Sequence, residues 1–234
     1  MRFSTPLLPA VLIRRYKRFL ADMRFPDGTE ATAHIANPGA MTGLAEPGTH
    51  IWVERNDDPK RKLRYSWQLV DHRTGHFTCV DTSLANRVVA EALAAGRIPE
   101  LSGYDHHRPE VRYGERSRVD FLLSGEGQRD CYLEVKSVTL SRVSSLAQFP
   151  DAVTARGARH LHDLALEVQA GHRSVLLFLV MRTDITHAGI ATDIDPAYGE
   201  SFEAATRVGV EAIAYDCVID PEGVTFGERL FVQV

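Results

Sequence analysis

A chain of 234 residues with 44% hydrophobic and 25% charged side chains is long enough for one large or two small cores and too apolar for a disordered chain. The formal net charge of −4 provides no global attraction to nucleic acid or anionic membranes, but it is unevenly spread: residues 1–81 hold 12 Lys and Arg against 9 Asp and Glu, and residues 82–234 hold 15 against 22. Cys79, Cys131 and Cys217 are odd in number, widely spaced and each within an apolar run, so they read as buried thiols rather than as a disulfide framework or a zinc site.

The start, MRFSTPLLPAVLIRRYKRFL, interrupts its apolar stretch with Pro and follows it closely with four basic residues. That is the pattern of neither a signal peptide nor a membrane span, so the expected location is the cytoplasm, with no membrane partner. Residues 16–25 and 29–36 alternate around the turn PDG and read as a hairpin. The runs HIWVERN, LRYSWQLVD and HFTCVD continue the pattern. Five short strands predict a small closed barrel of the OB type over residues 1–81. Its basic residues cluster as Arg14, Arg15, Lys17, Arg18 and then Lys60, Arg61, Lys62, Arg64, interleaved with Tyr16, Phe19, Tyr65 and Trp67. Such a mixture suits phosphates and bases, although DDPKRK reads equally well as a solvated loop. NPGAMTG has glycines able to expose amides to an anion, but without a GKS/T ending the plainer reading is a tight barrel loop.

The second unit, residues 82–234, opens with SLANRVVAEALAAGRIP, a helix with Ser83 as candidate cap and Gly96 as stop. ELSGYDHHRPEVRYGE reads as a loop entering a strand near residues 110–113. His106 and His107 are adjacent, so on an extended chain they point to opposite faces and do not form a metal pair; His72 and His76 flank a turn and carry no such reading either.

Residues 116–140, RSRVDFLLSGEGQRDCYLEVKSVTL, read as a second hairpin. A turn centred on Gly127 sets Asp120 across from Glu134 and Arg118 across from Lys136, with Cys131, Leu133 and Val135 on the opposite face. Two facing carboxylates repel and raise each other's pKa unless a proton, a cation or a metal neutralises them. A hard divalent ion such as Mg²⁺ or Mn²⁺, held by Asp120 and Glu134 and by substrate phosphate oxygens, would do so, with Lys136 steadying charge beside it. The plainer alternative is an exposed salt-bridged hairpin, but the apolar flanks VDFLL and YLEV argue that these strands are central. FPDAVTARGARHLHDLALEVQAG follows as a helix, with Asp151 as candidate cap and Gly171 as stop. Val153, Leu161, Leu164 and Val168 form its apolar stripe, and Arg156, Arg159, His160 and Asp163 share a face that either is solvated or holds phosphate. RSVLLFLVMR reads as a strand buried on both sides; a helix near residues 196–208, the run VEAIAYDCVI and a closing hairpin GVTFGERLFVQV complete the chain.

The spacing D-x13-E-x-K on a hairpin followed by a helix resembles the PD-(D/E)xK nuclease superfamily. The wider wording is more specific. EVRYGERSRVDFLL, CYLEVKSVTL and FPDAVTARGARHL, with NPGAMTG and RYKRFLADM near the start, resemble the sugar fermentation stimulation (SfsA) family from Phe3 to the C-terminus. The family pattern usually has Thr where this chain has Pro38, which removes any hydroxyl contact there. The resemblance implies a two-domain α/β (α+β) protein, an OB-like barrel followed by a nuclease-like αβββαβ domain. It also implies DNA binding without strong sequence preference and a regulatory link to maltose metabolism. In nuclease-like cores the first helix often offers an acidic residue, which makes Glu91 a third candidate metal ligand, against the alternative that it pairs with Arg87.

The resulting expectation is a metal-dependent phosphodiesterase with Asp120, Glu134 and Lys136 as catalytic residues. Arg118 and Arg156 would join the barrel's basic residues on the nucleic acid. The competing expectation is a DNA-binding regulator without turnover. RNA stays open beside DNA, and a homodimer is the arrangement that symmetric duplex cutting would need.

Overall fold

The computed structural model describes residues 1–114 and 117–233; Arg116, the first residue of the hairpin stretch, lies outside them. Strands β1 (Leu8–Tyr16), β2 (Leu20–Arg24), β3 (Glu30–His34), β4 (His50–Arg55), β5 (Tyr65–Asp71) and β6 (Phe77–Cys79) form one sheet in the order β3-β2-β1-β4-β5-β6. Parallel pairing of β3 with β5 closes the first five into a barrel. Its core holds Leu12, Met23, Ile35, Ile51 and Trp67, each almost fully buried, a burial that stabilises by roughly 1.5–3 kcal/mol per large aliphatic side chain.

Two expectations for the barrel are corrected. The hairpin around PDG is present as β2 against β3, but its first strand begins at Leu20 rather than at residue 16: Lys17 and Arg18 adopt φ of 47° and 65°, reversing the chain so that β1 and β2 pair as a further hairpin. Trp67 is not on a nucleic-acid face. It is fully buried, and its indole N–H donates to the Leu69 carbonyl at 2.9 Å.

The second unit contains α1 (Leu84–Ala94), β7 (His106–Tyr113), β8 (Ser117–Ser124), β9 (Cys131–Val138), β10 (Leu140–Val143), β11 (Ser145–Phe149), α2 (Ala155–Gln169), β12 (Arg173–Val180), β13 (Ile185–Ile190), α3 (Pro196–Arg207), β14 (Glu211–Asp220) and β15 (Gly223–Gln233). Its sheet has nine strands in the order β10-β11-β13-β15-β14-β12-β9-β8-β7. The succession α1-β7-β8-β9-α2-β12 is the expected αβββαβ core, and the pair β10-β11 is inserted before α2. β12 lies parallel to β9 and is buried along nearly its whole length, as its continuous apolar run requires. His106 and His107 lie in β7 rather than in a loop.

The two sheet faces have separate cores. Phe121, Leu123, Leu133 and Val135 pack with Val88 and Val89 of α1, whereas Val119, Leu122 and Phe178 pack with Leu161 and Leu164 of α2 and with Tyr198 and Phe202 of α3. The first core also takes in Leu69 and Cys79 from the barrel, and Phe3 N–H donates to the Glu222 carbonyl at 3.1 Å, so the two units pack directly together. All three cysteines are buried thiols, and burial pushes Cys79 and Cys131 up to about 12. Among the described residues, no helix is long and apolar enough to cross a membrane.

Candidate active site

The β8–β9 ladder pairs Phe121 with Leu133, Leu122 with Tyr132 and Leu123 with Cys131, the register that a turn at Gly127 predicts. The next step would set Asp120 opposite Glu134, but the ladder ends at Phe121 and Leu133. Instead, the Val135 N–H donates to Asp120 Oδ2 at 2.7 Å, and Asn86 Nδ2 donates to Asp120 Oδ1 at 2.7 Å. Asn86 lies in the first turns of α1, so helix and hairpin hold this carboxylate between them.

Glu134 is 3% exposed. Lys136 Nζ donates to its Oε1 at 2.6 Å, and His160 Nδ1 bonds the same oxygen. Arg156 Nε donates to His160 Nε2 at 3.3 Å. A neutral imidazole with its proton on Nδ1 satisfies both contacts, because an arginine N–H can only donate. Glu134 Oε2 is buried and has no hydrogen-bond partner among the described residues. Such an orphaned carboxylate oxygen is costly unless a ligand completes it.

The surroundings push the two carboxylates apart. Burial first, then the charge of Glu134, raises Asp120 to about 6, against the Val135 N–H and Asn86. Burial also works to raise Glu134, but the His160 hydrogen bond and the Lys136 charge outweigh it, and the net shift is downward. One carboxylate is thus held ionised while its neighbour takes up a proton readily.

Both line a cavity of about 640 Å³, together with Lys136, Asn86, Arg156 and His160. Its far wall comes from the barrel: Asn37, Pro38 and Gly39 of NPGAMTG, with Arg18 from the β1–β2 turn. Among the described residues, no cluster of three or more His, Cys, Asp and Glu side chains is arranged to hold a cation. The donors that are present, Asp120 and the unpartnered Glu134 Oε2, are carboxylate oxygens, the kind that suits an oxygen-seeking ion whose remaining ligands are phosphate or water oxygens.

Asp120, Glu134, Lys136, Arg156 and Arg18 are thus brought together; the other candidates are not. Glu91 is turned away from the cavity and bonds the Met1 amino group at 2.8 Å, so it is neither a third metal ligand nor the partner of Arg87. Arg118 donates to the Glu110 carbonyl at 3.1 Å on the β7 side and does not line the cavity. Arg14 is engaged with Asp22 at 2.8 Å. Arg15 donates to the carbonyls of Asn37, Gly39 and Ala40, so it builds the loop instead of meeting a ligand. Lys17 is exposed in the β1–β2 turn, and Lys60, Arg61 and Lys62 are exposed in the β4–β5 loop.

Several functional positions are not legible in the sequence. His160 and Asp163 fall on a polar helix face, yet both are buried: His160 lies on Glu134, and Asp163 accepts the Ser117 hydroxyl. Val153 precedes α2 and is 77% exposed, and Thr154 rather than Asp151 caps the helix through the Gly157 N–H. Ser83 makes no side-chain cap; Asp81 accepts its N–H at 3.0 Å. Asn86 carries no signal beyond its place five residues before Glu91.

Comparison with known proteins agrees with this architecture. The model of the SfsA N-terminal OB domain matches residues 13–80, and that of the sugar fermentation stimulation protein RE domain matches residues 83–223. A sugar fermentation stimulation protein homolog of Ruegeria pomeroyi is 58% identical over 230 residues, covering 98% of this chain and 100% of its own. A homolog of Roseobacter denitrificans is 60% identical over 225 residues, covering 96% of each. The structure of Pyrococcus furiosus SfsA in complex with Ca²⁺ superposes with a TM-score of 0.89 at 27% identity, covering 100% of this chain and 98% of that one. The chain therefore belongs to the sugar fermentation stimulation protein family, SfsA, and carries that family's N-terminal OB barrel followed by an α/β domain.

Proposed function

We propose that this protein binds DNA without strong sequence preference and hydrolyses its phosphodiester bonds with Mg²⁺ or Mn²⁺. The observation that carries the reading is Glu134, buried, held ionised by Lys136 and His160, and presenting an unpartnered oxygen beside Asp120 in a cavity rimmed by arginines. The Ca²⁺ complex of the Pyrococcus furiosus relative supports a divalent cation. In this reading residues 1–81 grip nucleic-acid backbone and residues 82–234 carry the chemistry.

Asp120 and Glu134 would hold the cation. When bound, it supplies a lowered water pKa and neutralisation of phosphoryl charge. Asn86 and the Val135 N–H fix Asp120 in place. Lys136 keeps Glu134 ionised and puts a positive charge where the phosphoryl oxygens become more negative. Arg156 and Arg18 stand on opposite sides of the cavity, where each can take a flanking phosphate.

Purified protein incubated with plasmid and labelled oligonucleotides, in Mg²⁺, in Mn²⁺ and in chelator, tests this beside Lys136→Ala. Cleavage of the plasmid or of the oligonucleotides that needs the metal and disappears in the variant is the expected result. Intact DNA with salt-sensitive gel shifts would instead identify a binding protein without turnover, the regulator reading.

A further inference from the structure

The wall facing α2 belongs to the other domain. Arg15 donates to the carbonyls of Asn37 at 2.9 Å, Gly39 at 2.9 Å and Ala40 at 3.0 Å, which fixes the course of the loop. Asn37 is 2% exposed; its Nδ2 donates to the Val80 carbonyl at 3.1 Å and its Oδ1 accepts the Gly39 N–H at 2.9 Å. The loop is then fastened across the domain boundary, where the Met41 N–H donates to Asp151 Oδ2 at 3.2 Å. Gly39 packs so closely there that an added Cβ would lie 2.1 Å from the Asp151 carboxylate, so a larger residue would have to move either the loop or the Asp151 side chain and break their contact. Asp151 sits on the segment that leads into α2, so this contact ties the barrel to the wall bearing Arg156 and His160.

The carboxylates consequently lie beneath a roof. The space left, about 640 Å³, falls within the ~300–1,000 Å³ of pockets that enclose a single small ligand. Phe149 and Val153 add apolar surface on the α2 side, and Val153 is 77% exposed at the mouth. A phosphate backbone alone has no use for that surface, whereas the face of an unstacked base does. Arg18 and Arg156 supply the charge for the phosphates on either side. A continuous duplex keeps its bases paired inside two backbones and cannot enter such a space, but a single strand or an extruded nucleotide can.

We infer that the site takes an unpaired nucleotide, supplied by a single strand or a single-stranded tail, and that the Gly39–Asp151 contact between the domains is the element that turns continuous duplex away. This rests on the nucleic-acid reading of the same cavity.

Fluorescence anisotropy with Ca²⁺ present and oligonucleotides of about 16 nucleotides, the most that one OB fold spans, separates the cases. The probes are a labelled single strand, a blunt duplex of the same length and a duplex with a single-stranded tail. The wild-type protein should bind the single strand and the tailed duplex at least ~10-fold tighter than the blunt duplex. Asp151→Ala, which frees the loop, should bring that preference down to about threefold or less. Blunt duplex bound as tightly as single strand by the wild type overturns this inference and leaves nucleic-acid binding standing. Binding of none of the probes overturns both. A preference unchanged in Asp151→Ala removes the role given to the contact.

Discussion

The basic cluster of the barrel and the acidic pair of the second domain are equally conspicuous in the sequence, yet they end in different states. Arg14 and Arg15 are consecutive on β1, and both are engaged within the protein, one by Asp22 and the other by three loop carbonyls. Asp120 and Glu134 come from separate strands and meet in a cavity with an oxygen to spare. Clustered charge along a chain therefore says little about which charges remain available. What distinguishes the two regions is whether each group has found a partner inside the fold.

The most severe way to break this comparison is to remove the spare oxygen. Glu134→Gln should lower metal-dependent cleavage by ~100-fold or more and abolish Ca²⁺ binding measured by calorimetry; retained metal binding would show that the oxygen has another role. A second route uses pH without metal. Asp120 has a folded pKa of about 6 against the ordinary 3.8, so the folded state holds its proton more tightly. The stability this group contributes is fully present below 3.8 and is lost as pH rises through 6, up to about 3 kcal/mol. Urea titrations in chelator should accordingly show Asp120→Asn gaining on the wild type between pH 4.5 and pH 8, and Mn²⁺ at pH 8 should reverse the gain.

On the barrel side, Arg15→Ala leaves three loop carbonyls without their donor, which should destabilise the protein by about 2–3 kcal/mol in chemical denaturation. A stability loss within a few tenths would mean that water replaces the guanidinium. The exposed loop residues give a smaller effect. Replacing Lys60, Arg61 and Lys62 with alanine should leave stability unchanged and reduce the salt slope of single-strand binding by up to ~2, at ~0.7 for each phosphate that is no longer neutralised. The smallest effect is expected at Glu91, which lies outside the cavity. Glu91→Gln should cleave within about twofold of the wild type.

How much of the molecule is readable from its sequence depends on what each feature rests on. The β8–β9 register is legible because a Gly-centred turn and strict alternation determine it locally. The pair β10-β11 is not, since LSRV and SLAQF are short and half polar, β10 is an edge strand paired with β11, and β11 joins the sheet through β13, distant in sequence. His160 is hidden for a related reason: a helical wheel separates polar from apolar, and a polar residue buried against Glu134 looks the same as one in solvent. Glu91 and Asn86 lie on the same helix, and only the packed orientation of α1 decides which one faces the hairpin. The loop NPGAMTG has the composition of an ordinary tight turn, and its importance comes from Asp151, across the domain boundary.

The position of β9 has a dynamic consequence. At residues 131–133 it is paired with β8 on one edge and with β12 on the other, so the amides there are expected to exchange with solvent only when the whole sheet opens. Met41 is joined to the second domain by a single long hydrogen bond and should exchange far earlier. The rhythm with which strands enter and leave would then be set on the barrel side, while the carboxylates stay still throughout.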